Sequence, residues 1–287
     1  MPESNKRGML YLVATPIGNL GDISQRAIDV FQEADFIAAE DTRVTVKLLN
    51  HFNIKKPLVS YYEHNQIESG SKILSRIIAG ETCALVSDAG TPAISDPGSG
   101  LAGLCWENGI SVVAIPGPCA AISALILSAL PTGRFTFEGF LSTVKKRRFE
   151  HLAELKNEKR TMIFYEAPHK LRQTLKDMSS AFGEDRKISI SRELTKIHEE
   201  TIHTTIAGAI EHFSQTSPRG EFVLVINGLE EESAPQPLSP QECIPTVFKY
   251  IDEGMSLRDA VKKCSFEMGV SKKELYDLAV KENNKTN

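Results

Sequence analysis

The first half of the chain alternates short apolar runs with segments of helical periodicity. Strands are predicted at residues 9–14, 36–39, 58–61, 83–86 and 111–114. Helices are predicted between them, at residues 22–33, 66–79 and 97–108, with Asp22 as the N-cap of the first. This alternation predicts a largely parallel sheet covered on both faces. A ligand site is then expected beyond the carboxyl ends of the strands.

The pattern changes after Pro-Thr-Gly at residues 131–133, where we expect a domain junction. Strands are predicted at residues 135–138, 161–165, 188–191, 201–206 and 222–226, and helices at 151–159, 168–181 and 207–215. The crossovers are shorter than in the first region, which favours a mixed sheet. The predicted fold is therefore two α/β domains, residues 1–131 with a parallel-rich sheet and 132–229 with a mixed sheet, and a ligand cleft between them.

A third region follows residues 230–239, where glutamates and prolines predict a linker. Residues 240–287 then predict a small helical unit, with helices near 240–253, 257–268 and 271–282. Ser271 is the expected N-cap of the last helix, and Glu274 completes a capping box. The spacing is similar to a helix-turn-helix. Because the charges balance, a three-helix unit with no nucleic-acid role is an equally supported alternative.

Composition narrows the class of protein. The 287 residues are 41% hydrophobic and 24% charged, which is ordinary for a globular protein. A net charge of −4 argues against a uniformly basic nucleic-acid binder but leaves room for a local basic patch. The five cysteines are scattered, which disfavours disulfides and zinc and favours the reducing cytosol. The N-terminus lacks the apolar core of a signal peptide, so we expect a cytoplasmic protein.

The strongest candidate for chemistry is the segment SDAGTPAISDPG at residues 87–98, directly after a predicted buried strand. Its small residues let backbone approach a ligand closely. It has no lysine, so it is not a phosphate-binding P-loop. Its two carboxylates, Asp88 and Asp96, suit a cationic or hydroxyl-rich ligand.

Other strand ends carry polar residues as well. Residues 15–22 hold two glycines but lack the dinucleotide fingerprint, so a plain turn is the alternative. At residues 39–43, two adjacent acids, Glu40 and Asp41, and an arginine suit a substrate; the alternative is helix capping by Asp41 or Thr42 and a solvent-exposed ion pair. At residues 60–65, Glu63 and His64 suit a general base; the alternative is that this segment is a polar surface loop. Their shared position at strand ends favours one composite cleft.

Two further segments have residues that suit ligand binding. At residues 115–121 the chain reads IPGPCAA, and backbone amides at the following helix start suit a ligand carboxylate. Cys119 is interpreted there as a wall residue. Residues 143–172 hold nine lysines and arginines against four acids, with the strongest run at residues 145–148. This run favours a phosphate-binding patch, although a solvated helix start is the alternative.

Taken together, several segments resemble one known family. They are YLVATPIGNLGDIS, AAEDTR, ALVSDAGTPAISDPG, IPGPCAA, EGFLS, YEAPHKL and RELTKIHEE. In this order they resemble the RsmI-type 16S ribosomal RNA methyltransferase family, part of the tetrapyrrole-methylase (class III) superfamily. The resemblance covers residues 9–228, and the C-terminal helices resemble the appendage of this subfamily. Cys119 departs from an expected serine, and Tyr62 from a usual histidine.

The resemblance implies two α/β domains with S-adenosylmethionine bound between them, and no metal. It implies methyl transfer to the ribose 2′-hydroxyl of a cytidine in the decoding region of 16S rRNA in the small ribosomal subunit. It also implies a homodimer. Carried over by position, donor contacts are expected at Pro16, Asp88, Ala89, Gly90, Thr91, Ile94, Cys119, Ala120, Tyr165, Leu194 and Gly220.

A ribose hydroxyl needs a proton acceptor to become a good nucleophile. The general base is expected among Asp41, Glu63, His64 and Glu193, which the sequence alone does not rank. RNA contacts are expected at Arg43, Lys145, Lys146, Arg147 and Arg148.

Two alternatives stay open. A small-molecule methylase of the same superfamily would act on a tetrapyrrole-like substrate, which the basic run and the helical unit disfavour. A non-enzymatic nucleic-acid-binding regulator would depend on the C-terminal helices. A nicotinamide dehydrogenase is disfavoured because its fingerprint is missing.

Overall fold

The computed structural model describes residues 8–230 and 238–286. These residues fall into two compact units, which divide between Leu229 and Glu230. None of the described helices combines the length and the apolar character needed to span a bilayer.

The first unit begins with a five-stranded sheet. Its strands are β1 (Met9–Val13), β2 (Phe36–Ala39), β3 (Leu58–Ser60), β4 (Cys83–Val86) and β5 (Ser111–Ile115). Their order is β3-β2-β4-β1-β5, and every neighbouring pair is parallel. The predicted parallel sheet is confirmed, and all five carboxyl ends meet at one edge.

Helices cover both faces of this sheet. They are α1 (Gln25–Glu33), α2 (Thr42–His51), α3 (Gln66–Ile78) and α4 (Ser99–Glu107). All four residues of β2 and of β4 are buried, as strands covered on both faces require. Alternate residues enter different cores: Ile37 packs with Phe31 and Leu49, whereas Phe36 packs with Ile73 and Leu101.

The second sheet is mixed, as predicted. Its strands are β6 (Phe135–Phe140), β7 (Thr161–Glu166), β8 (Lys187–Arg192), β9 (Glu200–Thr205) and β10 (Phe222–Ile226), in the order β6-β7-β10-β8-β9. Only the β6–β7 pair is parallel. One face is covered by α6 (Lys145–Glu154), α7 (Pro168–Phe182) and α8 (Ile206–Gln215).

The opposite face of the second sheet is covered by α5 (Ala120–Leu127), which follows β5 of the first sheet. Ala124 and Leu125 of this helix pack against Ile163 and Val225. The two sheets therefore share one compact unit, joined by an apolar helix from the first. The domain boundary after residue 131 stays a prediction.

Several helix starts differ from the sequence prediction, and the predicted start near residue 240 lies four residues later, at Ile244. Ser24, and not Asp22, caps α1, because Leu20–Asp22 forms a separate 3-10 turn. The fourth helix begins at Ser99, because Gly98 has a φ of 154° that a helix excludes. The helix predicted at residues 151–159 begins six residues earlier and ends five residues earlier, as α6.

The second unit contains three helices, α9 (Ile244–Asp252), α10 (Leu257–Met268) and α11 (Lys272–Thr286). They share a core that includes Val247, Val261 and Leu275. The helical C-terminal unit is thereby confirmed. Ser271 Oγ accepts a long bond of 3.5 Å from the Glu274 amide, as the predicted cap requires. Most of the predicted linker, residues 231–237, lies outside the described residues.

Candidate functional site

Backbone hydrogen bonds connect three loops at the carboxyl edge of the first sheet. Thr15, after β1, and Gly90, after β4, exchange both amide–carbonyl bonds, at 2.9 and 3.0 Å. Thr91 Oγ1 donates to the Pro118 carbonyl, after β5, at 2.9 Å. Gly90 has a φ of 83°, a conformation that favours glycine. These bonds fix the small-residue loop against its neighbours.

A cavity of about 450 Å³ lies between this edge and the second sheet. The first sheet contributes Ile17, Glu40, Asp88, Ala89, Gly90, Thr91, Ile94, Ser95, Asp96, Cys119 and Ala120. The second contributes Phe140, Tyr165, Glu166, Ala167, Pro168, Glu221, Phe222 and Val223. The composite cleft expected from the strand ends is therefore present.

The wall from the first sheet is acidic. Glu40 directly follows β2, and its carboxylate accepts a long bond of 3.4 Å from the Asp88 amide. Burial raises the pKa of Glu40, and the nearby carboxylates of Asp96 and Asp88 raise it further. Burial also raises the pKa of Asp96. Among the described residues that line the cavity there is no lysine or arginine. A bound cation would therefore be stabilised electrostatically by this wall.

The opposite wall is aromatic and touches the start of α5. The Ala121 amide donates to Tyr165 Oη at 3.1 Å. Burial raises the pKa of Tyr165 to about 12, so the phenol stays neutral. Phe140 meets the Tyr165 ring edge-on at 5.5 Å between centroids. This wall offers a flat apolar surface beside a polar hydroxyl and a helix N-terminus.

Most of the residues expected to bind the methyl donor line this cavity. They are Asp88, Ala89, Gly90, Thr91, Ile94, Cys119, Ala120 and Tyr165. Three do not. Pro16 lines a neighbouring cavity, Leu194 lies in the apolar cluster behind Val223, and Gly220 lies beside the Glu193 side chain. The donor assignment of all eleven stays a prediction.

Asp41 caps a helix, which is the alternative role that the sequence analysis gave for it. Its carboxylate accepts from the Arg43 amide at 2.8 Å and caps α2. It also pairs with the Arg43 guanidinium at 2.6 Å. Hydrogen bonds from Arg43 lower the pKa of Asp41 to about 2. A carboxylate held this strongly is a weak base, and it does not line the cavity.

The other three base candidates also lie outside the cavity lining. Glu193 pairs with Lys196 at 2.9 Å and accepts from the Glu221 amide at 3.1 Å. The Lys196 hydrogen bond lowers the pKa of Glu193. Glu63 and His64 are exposed on the short 3-10 turn Glu63–Asn65.

Sequence reasoning grouped Glu40 with Asp41 as adjacent acids that could bind substrate, but it did not count Glu40 among the general-base candidates. Its place directly after a buried strand was a signal that it shared with Asp41. The structure separates the two: Glu40 faces the cavity, whereas Asp41 caps α2.

The basic run begins α6, and its four residues differ in role. Lys145, Lys146 and Arg147 are exposed. Arg148 pairs with Asp177 of α7 at 2.7 Å, with side chains only 14% and 6% exposed. It also donates to the Ser142 carbonyl at 3.0 Å. Arg148 therefore anchors α6, and three of the four cations remain for a polyanion.

Comparison with known proteins identifies relatives along nearly the whole chain. Residues 9–210 match the family model of the tetrapyrrole (corrin/porphyrin) methylases. Three curated relatives are each named ribosomal RNA small subunit methyltransferase I. The relative from Synechocystis sp. is 46% identical, covering 95% of this chain and 98% of its own. That from Halalkalibacterium halodurans is 47% identical, with 96% coverage of both. That from Bacillus subtilis is 45% identical, with coverages of 94% and 93%.

Solved structures share the fold at low sequence identity. A cobalt precorrin-4 methyltransferase of cobalamin biosynthesis superposes with a TM-score of 0.58 at 18% identity, covering 79% of this chain and 97% of its own. A uroporphyrin-III C-methyltransferase from Thermus thermophilus, solved with S-adenosylhomocysteine, gives 0.54 at 17% identity, with coverages of 77% and 97%.

Proposed function

This chain belongs to the tetrapyrrole methylase family, and from that premise we propose that it methylates the ribose 2′-hydroxyl of a cytidine in the decoding region of 16S rRNA. It is a ribosomal RNA small subunit methyltransferase that uses S-adenosylmethionine. The observation that carries this function is 45–47% identity, over nearly all of the chain, to relatives with that name.

The cavity suits S-adenosylmethionine on its own chemistry. Glu40, Asp88 and Asp96 supply negative charge for a sulfonium. The first-turn amides of α5 suit a carboxylate. Phe140 and Tyr165 provide an aromatic wall for an adenine. When bound, the donor supplies an electrophilic methyl group, and no metal is required.

The residues of the chain then have to align the acceptor and take up one proton. We assign the proton acceptor to Glu40, which lines the cavity and has a raised pKa. A base with a pKa nearer neutrality accepts a proton more effectively than Asp41, whose pKa is about 2. Alignment of acceptor and methyl supplies much of the remaining rate.

An RNA substrate is supported by the exposed cations at the start of α6. Lys145, Lys146 and Arg147 carry three charges that phosphates would neutralise. A tetrapyrrole would need no such remote cations. Because ribosomal subunits are cytoplasmic, we place the protein there.

A homodimer is supported by apolar side chains on the outer face of α5. Ile122 and Ile126, one turn apart, are 45% and 71% exposed. Exposed apolar pairs of this kind suit a two-fold interface. Sedimentation equilibrium tests the proposal: a dimer is expected, and weaker association of Ile126→Lys would place its interface here.

The experiment that tests the reaction is a substrate comparison. The purified chain is given labelled S-adenosylmethionine with 30S subunits or with uroporphyrinogen. Label on RNA alone supports the proposal, whereas label on the tetrapyrrole would favour the small-molecule methylase. Deleting residues 236–287 tests the regulator alternative, since a methyltransferase keeps donor binding without them.

A further inference from the structure

A second cavity, of about 260 Å³, lies beside the acidic donor cavity. It is bounded by the loop after β1, the end of β4 and one side of α2. Its lining includes Leu20, Val44, Lys47, Leu48 and Asp88. Asp88 also lines the donor cavity, so one side chain borders both spaces.

We infer that this second cavity receives the acceptor nucleotide of the RNA, with the base against its apolar wall and a phosphate against Lys47. The inference rests on the proposed function and names the part of the chain that binds the acceptor. The shared Asp88 wall is the first argument. An acceptor must reach the transferred methyl group, and an adjoining space allows that alignment.

The size of the cavity fits one nucleotide unit. At about 260 Å³ it falls below the 300–1,000 Å³ typical of pockets for drug-sized ligands. A single pyrimidine with part of its ribose is smaller than such ligands, whereas a four-ring macrocycle is not. The cavity therefore favours a nucleotide over a tetrapyrrole.

The wall of the cavity is apolar where a base would lie. Leu20 and Val44 are 42% and 39% exposed. Leu48 continues the same surface one turn after Val44. Proteins that recognise RNA commonly hold unstacked bases against apolar or aromatic surfaces. A base in this cavity would cover side chains that otherwise face water.

One lysine lies among the residues that line the cavity. Lys47 is exposed, and within residues 8–230 and 238–286 it forms no ion pair. Arg43 lies four residues earlier on α2, but its guanidinium is held by the Asp41 carboxylate at 2.6 Å. Lys47 is therefore the cation to which a phosphate flanking an inserted nucleotide would bind.

Val44→Trp is the direct test, because the larger side chain fills the cavity. Val46→Trp is the matched control: Val46 is on the same helix, is 42% exposed and does not line the cavity. For Val44→Trp we expect kcat/KM on 30S subunits to fall at least about tenfold. The dissociation constant for S-adenosylhomocysteine, from calorimetry, should stay within about twofold. Val46→Trp should match the unsubstituted protein in both.

Lys47→Ala provides a second readout. It should weaken binding of a fluorescent single-stranded RNA and lower the salt slope of that binding by about one. Equal activity of the two tryptophan variants on 30S subunits would overturn the inference. A Val44→Trp variant that loses donor affinity as much as RNA methylation would overturn it as well. An unsubstituted protein that fails to methylate 30S subunits would instead refute the proposed function. Binding of the same single-stranded RNA to Val44→Trp and to Val46→Trp would then still test the cavity: weaker binding by Val44→Trp alone supports the inference, and equal binding overturns it.

Discussion

Replacing Arg148 by methionine should destabilise the larger unit rather than weaken RNA binding directly. The guanidinium pairs with Asp177 at 2.7 Å, and the two side chains are 14% and 6% exposed. Without Arg148, the Asp177 carboxylate keeps only the amide of Gln173, at 2.9 Å, among the side-chain partners described. Leaving the buried Asp177 carboxylate without its cation lowers the free energy of unfolding by about 3–5 kcal/mol.

The expected cost is large enough to measure by scanning calorimetry. At about 2–4 °C per kcal/mol for a unit of this size, the melting temperature should fall by about 6–20 °C. Lys146→Met is the control, because Lys146 is 86% exposed and lies 3.8 Å from Glu150. A surface pair of that kind contributes at most about 1 kcal/mol.

A double variant separates the ion pair from general disruption of α6. Combining Arg148→Met with Asp177→Leu removes both charges and should recover stability to within about 1 kcal/mol of the unsubstituted protein. If Arg148→Met melts normally but loses affinity for 30S subunits, Arg148 is an RNA ligand and the structural role given to it here is wrong.

Three further predictions concern the cleft and the basic run. Asp88→Ala should weaken S-adenosylmethionine binding by about tenfold or more in calorimetry, and an unchanged affinity would remove Asp88 from the donor site. Glu40→Gln should lower kcat by about 10²–10⁴ while affinity for S-adenosylhomocysteine, which carries no sulfonium charge, is retained; a normal kcat would exclude Glu40 as the base. The pKa of Glu40 is higher in the folded protein than in the unfolded chain. The free energy of unfolding therefore falls as the pH rises from the pKa of the unfolded chain through that of the folded protein. Glu40→Gln should therefore also raise the urea midpoint at pH 7, and an unchanged midpoint would contradict that pKa direction. Replacing Lys145, Lys146 and Arg147 by glutamine should raise KM for 30S subunits and lower the salt slope by about three, whereas equal loss of donor affinity would indicate misfolding.

Regular periodicity made most of the fold predictable. The bounds of β2, β4 and β10 agree with the sequence prediction, because each strand is a fully buried apolar run. The start of α6 was not predictable from apolar spacing, since its first turns are charged. That helix depends on Leu152 in the core and on the Arg148 ion pair, and both contacts come from the tertiary fold.

The cleft was predictable, and the carboxylate that we propose as its proton acceptor was not. Parallel strand order brings the carboxyl ends together, so the loop at residues 87–98 could be placed from sequence alone. Which of two adjacent acids faces the cavity depends on a side-chain contact. The Asp41 carboxylate pairs with Arg43 and caps α2, whereas the Glu40 side chain lines the cleft. Glu193 is likewise engaged by Lys196, a pairing that its position in the sequence did not indicate.

The most direct test of the central claim is to map the transferred methyl group. Small ribosomal subunits that lack the modification are incubated with the purified chain and labelled S-adenosylmethionine, and the RNA is digested and analysed by mass spectrometry. The proposed function predicts one labelled 2′-O-methylcytidine in the decoding region. Label on a base, label elsewhere in the RNA, or no transfer despite donor binding would contradict it.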